Sequence, residues 1–254
     1  MSGSLSVVGL GPGSPQALTP EAAAALERAD ALYGYGPYLD RVPAKPGQTR
    51  HASDNREEGN RAAAALRHAA QGAKVAMVSG GDPGVFAMAA AVCEQIDGGD
   101  AAWRSLEVSV VPGITAMLAV AARVGAPLGH DFCAISLSDN LKPWDVVERR
   151  LDAAAGAGFV IALYNPISRA RPWQLGKAFE RLRRQLPAST PVVFGRAVGR
   201  ADEKIAICGL DVADPSAADM ATLIIIGSPL TRVIERPGQP PLVYTPRFVE
   251  GGGS

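Results

Sequence analysis

Short apolar runs that stop at glycine- and proline-rich turns and give way to helical stretches set the architecture of this chain more firmly than any other feature. Leu5–Val8 is an apolar β run ending in Gly9-Leu10-Gly11-Pro12-Gly13. Thr19 then reads as the N-cap of a helix with Pro20 in its first position, where a missing N–H costs nothing. Asp54 and Glu57 have capping-box spacing ahead of the Ala-rich run Arg61–Ala70. Lys74–Ser79 is the next strand; it runs into Gly80-Gly81-Asp82-Pro83-Gly84 and then a helix from Val85 to Ile96. Glu107–Val111 breaks at Pro112-Gly113 and continues as a helix over Ile114–Val124. Strand and helix in alternation predict a parallel sheet flanked by helices.

The second half repeats the alternation with other spacings. Strand signals are Phe132–Leu137, Phe159–Leu163, Val192–Arg196, Ile205–Cys208 and Leu223–Ile226; helix signals are Pro143–Ala155 and Trp173–Leu186. Several late strands follow one another without a helix between them, which predicts a mixed sheet. The expectation is an α/β protein of two α/β domains. Residues 1–124 form the first and 125–249 the second, joined near Gly125-Ala126-Pro127, and the Gly-rich tail 250–254 is expected to be disordered.

The 254 residues carry 25 Lys and Arg against 25 Asp and Glu, so no bulk field favours nucleic acid or a membrane surface. Anion recognition therefore has to be local. Cys93, Cys133 and Cys208 lie far apart with no CxxC spacing, which argues against a disulfide framework and a zinc site and for buried free thiols. No metal site is expected. Residues Met1 to Val8 lack a basic n-region, and no apolar run approaches a membrane span, so the expected location is the cytoplasm.

Function concentrates in three glycine-rich strand ends, where open α/β sheets bind ligands. Gly9–Gly13 falls short of a dinucleotide fingerprint, because Ser14 stands where Gly or Ala is needed and Pro12 removes a donor. Alone, such a turn serves equally well as a tight strand-to-helix connection. Asp82, beside glycines, can accept hydrogen bonds from a ligand amine or hydroxyl, or can cap the helix that follows. Pro112-Gly113-Ile114-Thr115-Ala116 adds a third tight strand end with a hydroxyl that can cap a helix or face a ligand. Three such loops in one half of the chain favour a shared pocket over independent turns.

The set Gly9–Gly13, Ser79–Gly84 and Val111–Ala116, in this order and spacing, resembles the tetrapyrrole methylases, a class III methyltransferase family; the resemblance runs from about residue 5 to 235. Within it, His130–Asp139 followed by Pro143-Trp144, Leu163-Tyr164-Asn165-Pro166-Ile167-Ser168, and Ile224–Ser228 with Thr231-Arg232 resemble the branch that methylates C17 of precorrin-3B in cobalamin biosynthesis. Ser228 stands where that branch usually has Asn, and Gly34–Pro37 replaces a more basic stretch.

The resemblance implies two α/β domains with a trough between them, a homodimer, and S-adenosylmethionine as cofactor, with S-adenosylhomocysteine as product. It assigns the cofactor to Pro12, Gly81, Asp82, Pro83, Val85, Thr115, Ala116, Asn165, Ala197 and Gly227. It also implies ring contraction of the macrocycle, which calls for a proton donor or acceptor; His130, Ser138 and Asp139 are the candidates, although a histidine before a strand is commonly structural. A substrate rich in acetates and propionates should meet loop cations, for which Arg56, Lys142, Arg169 and Arg171 are candidates, each of which can equally be a solvated charge. His68 is expected to face solvent from a helix, and Arg181, Arg183 and Arg184 to form an exposed helix face. Rival readings are C11 methylation, a cobalt-containing substrate, a non-catalytic tetrapyrrole carrier, and a nucleotide-dependent oxidoreductase.

Overall fold

In the computed structural model, residues 3–54, 57–168 and 170–248 are described. The chain divides after Ala116 into two compact units. The first contains β1 (Ser4–Gly9), α1 (Pro20–Arg28), β2 (Ala31–Tyr35), α2 (Gly36–Leu39), β3 (Thr49–Ser53), α3 (Glu58–Ala70), β4 (Lys74–Ser79), α4 (Met88–Gly98) and β5 (Glu107–Val111). Its strands lie in the order β3-β2-β4-β1-β5, and every pair is parallel. The central strands are apolar at nearly every position because both faces are covered. Leu5, Val7, Val75 and Met77 pack with Leu66 and Val92 of α3 and α4 on one face, whereas Val8, Ala76 and Val78 pack with Ala22 and Leu26 of α1 on the other. Burying a side chain as completely as Leu66 contributes roughly 1.5–3 kcal/mol. All parallel strands end on one edge, so the loops after β1, β4 and β5 gather there.

The second unit takes up α5 (Ala116–Val124) from Met117 onward. It continues with β6 (Gly125–Ala126), β7 (Phe132–Ser136), α6 (Trp144–Gly156), β8 (Val160–Tyr164), α7 (Gln174–Leu182), β9 (Pro191–Arg196), β10 (Lys204–Gly209), β11 (Thr222–Ile226), β12 (Arg232–Arg236) and β13 (Gln239–Tyr244). The main sheet is mixed, in the order β10-β9-β11-β8-β7, with only β7 and β8 parallel. Helices α6 and α7 cover one face through Leu151, Leu175, Phe179 and Leu182. On the other face α5 comes close enough that a Cβ on Gly195 would overlap the Val120 side chain. A small sheet β12-β13-β6 completes the unit.

Several local expectations are corrected. Thr19 does cap α1, its Oγ1 accepting from the Ala22 N–H at 3.1 Å. The Asp54–Glu57 box instead yields a helix starting at Glu58; the Asp54 N–H donates to the Glu57 carboxylate at 3.0 Å, but Glu57 itself is the N-cap. Helix α4 begins at Met88 rather than Val85, because the loop ahead of it extends through Phe86, whose φ of +52° is incompatible with a right-handed helix. Helix α7 stops at Leu182, where Arg183 becomes its C-cap. His68 is half-buried, with Nδ1 3.2 Å from the Tyr33 hydroxyl, instead of facing solvent. Arg183 and Arg184 are exposed as expected but lie past the end of α7, with Arg183 donating to the carbonyls of Leu210 and Ala213, whereas Arg181 is half-buried and pairs with Asp152 and Glu148. The cysteines are free thiols, but Cys93 is exposed and Cys133 and Cys208 are only half-buried. The 250–254 tail lies outside the described residues. Among the described residues, no helix is long and apolar enough to cross a membrane.

Candidate functional site

Three strand ends of the first unit interlock through bare backbone. The Gly11 N–H donates to the Gly81 carbonyl at 3.1 Å, and the Gly81 N–H returns a bond to the Gly11 carbonyl at 3.0 Å. Glycine is required here by contact as well as conformation. A Cβ on Gly9 would sit 2.7 Å from the Gly113 nitrogen, and one on Gly113 would overlap the Gly81 carbonyl oxygen. Gly11 and Gly81 also hold φ of +66° and +67°, which glycine adopts at no steric cost. A Cβ on Gly81 would lie in ordinary van der Waals contact with the backbone of the third loop, 3.7 Å from the Thr115 Cα and 3.8 Å from the Ile114 carbonyl oxygen, so here the positive φ rather than crowding calls for glycine.

Asp82 fastens these loops together. One carboxylate oxygen accepts from the Gly84 N–H at 2.8 Å and the other from the Gly113 N–H at 3.0 Å. It does not cap α4, whose N-cap is Ala87. Pro83 is buried and its carbonyl accepts from the Ala89 N–H at 2.9 Å, while Val85 is half-buried beside the left-handed Phe86. Thr115 is buried and Ala116 half-buried where the third loop enters α5, and Pro12 is half-buried in the first loop. The structure thus brings Pro12, Gly81, Asp82, Pro83, Val85, Thr115 and Ala116 to one edge of one sheet. Sequence reasoning missed Arg41, whose Nη2 donates to the carbonyls of Leu10 and Gly11 at 2.7 and 2.9 Å, and Tyr38, whose ring lies against Gly80. No local pattern marks these two, because their partners lie far away in sequence.

In the second unit the assigned positions are again strand ends. Among the described residues, non-glycine residues with positive φ are Phe86, Asn165 and Ala197, the last two at +51° and +50°. Such a conformation costs of order 1–3 kcal/mol and persists where surroundings over-determine it. Asn165 follows β8 and donates from Nδ2 to the Ser136 hydroxyl at 2.9 Å. Ala197 follows β9, is buried, and donates to the Ala221 carbonyl at 2.9 Å. Gly227 follows β11, and a Cβ on it would lie 2.7 Å from the Thr231 Cβ. Thr231 is held by a buried chain: its Oγ1 accepts from the Ser228 N–H at 2.8 Å and lies 2.8 Å from the Thr245 hydroxyl.

The candidate catalytic and substrate residues separate into two places. Asp139 is bound by the Arg171 guanidinium and by the Gln174 amide at 3.3 Å. Burial pushes the Asp139 carboxyl up, but the Arg171 and Gln174 hydrogen bonds outweigh it and hold the group below the usual carboxylate range. Arg171 and Ser168 exchange backbone bonds of 3.0 and 3.2 Å that close a tight loop. Lys142 donates to the Ser138 carbonyl at 2.9 Å, and burial, with Arg150 nearby, pulls its ammonium pKa down. Ser138, Asp139, Lys142 and Arg171 therefore share one loop cluster. His130 precedes the opposite end of β7, a strand of Phe132–Ser136 spanning roughly 17 Å at about 3.3 Å per residue. Its Nδ1 accepts from the Asp131 N–H at 2.7 Å. Arg56 and Arg169 lie outside the described residues. Among the described residues no group of three or more His, Cys, Asp or Glu is placed to hold a metal ion.

Comparison with known proteins matches residues 4–213 to the family described as Tetrapyrrole (Corrin/Porphyrin) Methylases. A precorrin-3B C(17)-methyltransferase from Sinorhizobium sp is 69% identical over 251 residues, covering 99% of both chains. A probable cobalt-factor III C(17)-methyltransferase from Salmonella typhimurium is 41% identical over 244 residues, covering 96% of this chain and 98% of that one. The crystal structure of the methyltransferase CobJ superimposes with a TM-score of 0.92 at 46% identity, covering 96% of this chain and 100% of that chain.

Proposed function

The chain belongs to the tetrapyrrole (corrin/porphyrin) methylase family, and on that premise we propose that it transfers a methyl group from S-adenosylmethionine to C17 of precorrin-3B in cobalamin biosynthesis. The observation that carries the reading is 69% identity to a precorrin-3B C(17)-methyltransferase along 99% of both chains. The site chemistry is compatible with such a donor. Three interlocked glycine strand ends, kept in place by the Asp82 carboxylate, offer bare backbone to a ligand with many polar groups.

When bound, the donor supplies an electrophilic methyl group that an electron-rich ring carbon can take up. What the protein contributes is placement, which can be worth several kcal/mol of barrier when reacting atoms are held near attack distance. In this proposal Pro12, Gly81, Asp82, Pro83, Val85, Thr115 and Ala116 hold the donor from the first unit. Asn165, Ala197 and Gly227 are kept as further candidates on the strength of the family resemblance. Lys142 and the loop closed by Arg171 recognise the substrate carboxylates, with Arg56 and Arg169 as further candidates. For the accompanying ring contraction, Ser138 and Asp139 are better supported than His130, since they share a loop cluster with Lys142 and Arg171 and His130 does not. The family resemblance also supports a homodimer working in the cytoplasm.

A second reading, a cobalt-containing substrate, is favoured by the name of the 41% identical Salmonella relative. One experiment addresses both. Purified protein is incubated with methyl-labelled S-adenosylmethionine and precorrin-3B or its cobalt counterpart, and products are analysed by mass spectrometry. The primary proposal expects one labelled methyl on the metal-free ring; label on the cobalt form alone selects the second reading, and label on neither refutes both.

A further inference from the structure

The first glycine loop has a weakness in its own sequence. The peptide joining Gly11 to Pro12 has no N–H, so the carbonyl of Gly11 is the one backbone hydrogen-bonding group by which that peptide plane can be held. This oxygen accepts from the Gly81 N–H at 3.0 Å and from Arg41 Nη2 at 2.9 Å, and the same nitrogen reaches the Leu10 carbonyl at 2.7 Å. Arg41 is itself rigidly based. The segment just after β2 is anchored by Leu39 and Val42, both buried in the core beneath it. Arg50 of β3 then ties down the carbonyls of Leu39, Val42 and Pro43 at 3.1, 2.8 and 2.6 Å. From this base Tyr38 presses on the second loop, where a Cβ on Gly80 would come within 2.7 Å of its ring. One short segment, α2 and the turn after it, therefore braces two of the three glycine loops while carrying neither.

We infer that Arg41 is a positioning residue of the methyl-donor site, acting through the Leu10 and Gly11 carbonyls to fix Pro12 and the Gly11–Gly81 bridge. The inference rests on the donor reading for its functional consequence. Its structural content stands apart, and the two are tested separately. Arg41→Met removes every donor while keeping the length of the side chain; Arg41→Lys restores one charged nitrogen. Hydrogen exchange of the unliganded protein is followed at the Gly11 and Gly81 amides, alongside S-adenosylhomocysteine affinity by calorimetry, tetrapyrrole KM and the thermal midpoint.

Arg41→Met should accelerate exchange at Gly11 and Gly81 and weaken S-adenosylhomocysteine binding by about tenfold, the scale of one lost charge-assisted hydrogen bond. Tetrapyrrole KM should stay within about twofold, a change too small to report a lost contact, and Arg41→Lys should recover most of the affinity. A purely structural role would lower the thermal midpoint without this split between donor affinity and tetrapyrrole KM. Unchanged exchange with unchanged affinity overturns the inference, as does an equal loss for donor and tetrapyrrole. If Arg41→Met does not melt cooperatively, Arg41→Gln, neutral but still a donor, is read by the same criteria. Faster exchange in a protein whose wild type binds no S-adenosylhomocysteine supports the brace and refutes the donor reading.

Discussion

Replacing Asp82 by alanine should destabilise the protein and the proposed donor site together, because one carboxylate holds two loops. The wild-type group accepts from Gly84 N–H at 2.8 Å and from Gly113 N–H at 3.0 Å. A hydrogen bond to a charged group contributes about 1.5–3 kcal/mol, and the Gly84 bond, at the surface, belongs below that range. Losing both should cost about 2–4 kcal/mol, part of it from a Gly113 N–H left with a weaker partner. At about 2 kcal/mol the melting temperature of a chain this size falls by roughly 4–8 °C. S-adenosylhomocysteine affinity should fall at least about tenfold, equivalent to 1.4 kcal/mol. Asp82→Asn is the sharper probe. Both partners are donors, so the amide must turn its own NH₂ toward one of them, and Asn should behave nearly as badly as Ala. Calorimetry, thermal melting and exchange at the Gly113 amide form the assay. If Asp82→Ala weakens binding but leaves melting and Gly113 exchange at wild-type values, the carboxylate touches the ligand and does not brace the loops, and the reasoning fails.

Gly113→Ala forces a Cβ onto the Gly81 carbonyl oxygen; overpacking of this kind costs about 1–3 kcal/mol and should lower both melting temperature and S-adenosylhomocysteine affinity. Arg171→Ala and Asp139→Ala should each raise tetrapyrrole KM, and the double variant should be no worse than the more damaging single one, because the two groups bind each other; additive effects in steady-state kinetics would show that they act separately. Asp152 is held below the usual carboxylate range by hydrogen bonds from Arg181, which outweigh burial. A depressed carboxylate stabilises the fold above its unfolded pKa of about 3.9 and loses that contribution as pH falls through its lower folded value. Asp152→Asn should therefore melt below wild type at neutral pH, and the gap should close as pH falls below the unfolded value and through the lower folded one, as followed by melting across pH; a gap that persists in acid would refute the linkage.

The central strand Lys74–Ser79, buried from Val75 onward, was legible with those very ends because both its faces are covered; Glu107–Val111, an edge strand with most of its residues exposed, was legible instead from its β-branched run and the Pro112-Gly113 break. The segment from Ala31 to Leu39 was not, since Tyr33-Gly34-Tyr35-Gly36-Pro37 mixes strand formers with turn residues and its strand is fixed by pairing with β3 and β4. Helix starts failed where a loop needs conformations the helix excludes, as at Phe86. The hairpin of β12 and β13 went unread, although Pro237-Gly238 lies at its turn and Gly238 has a φ of +70°. In the site, residue identities were readable and their pairings were not. Asp139 and Arg171 were separate candidates in the sequence and are one ion pair in the structure, 32 residues apart.

The two units meet the same demand by opposite means. A strand end that presents backbone to a ligand must stay open, yet must not wander. In the first unit glycine supplies the opening, and a glycine has no side chain with which to hold itself. The holding then falls to side chains elsewhere: Asp82 across to Gly113, Arg41 onto Leu10 and Gly11, Tyr38 onto Gly80. In the second unit Asn165 and Ala197 keep side chains and accept a left-handed backbone, with Asn165 using its amide to bond Ser136 directly. Strain there is offset locally, whereas openness in the first unit is offset at a distance. It follows that the glycine motifs open the first unit's loops, while their bracing falls to Asp82 inside one motif and to Arg41 and Tyr38 outside any. A change at Arg41 should accordingly perturb the first unit's loops while leaving the Asn165–Ser136 bond intact, and Asn165→Ala should do the reverse.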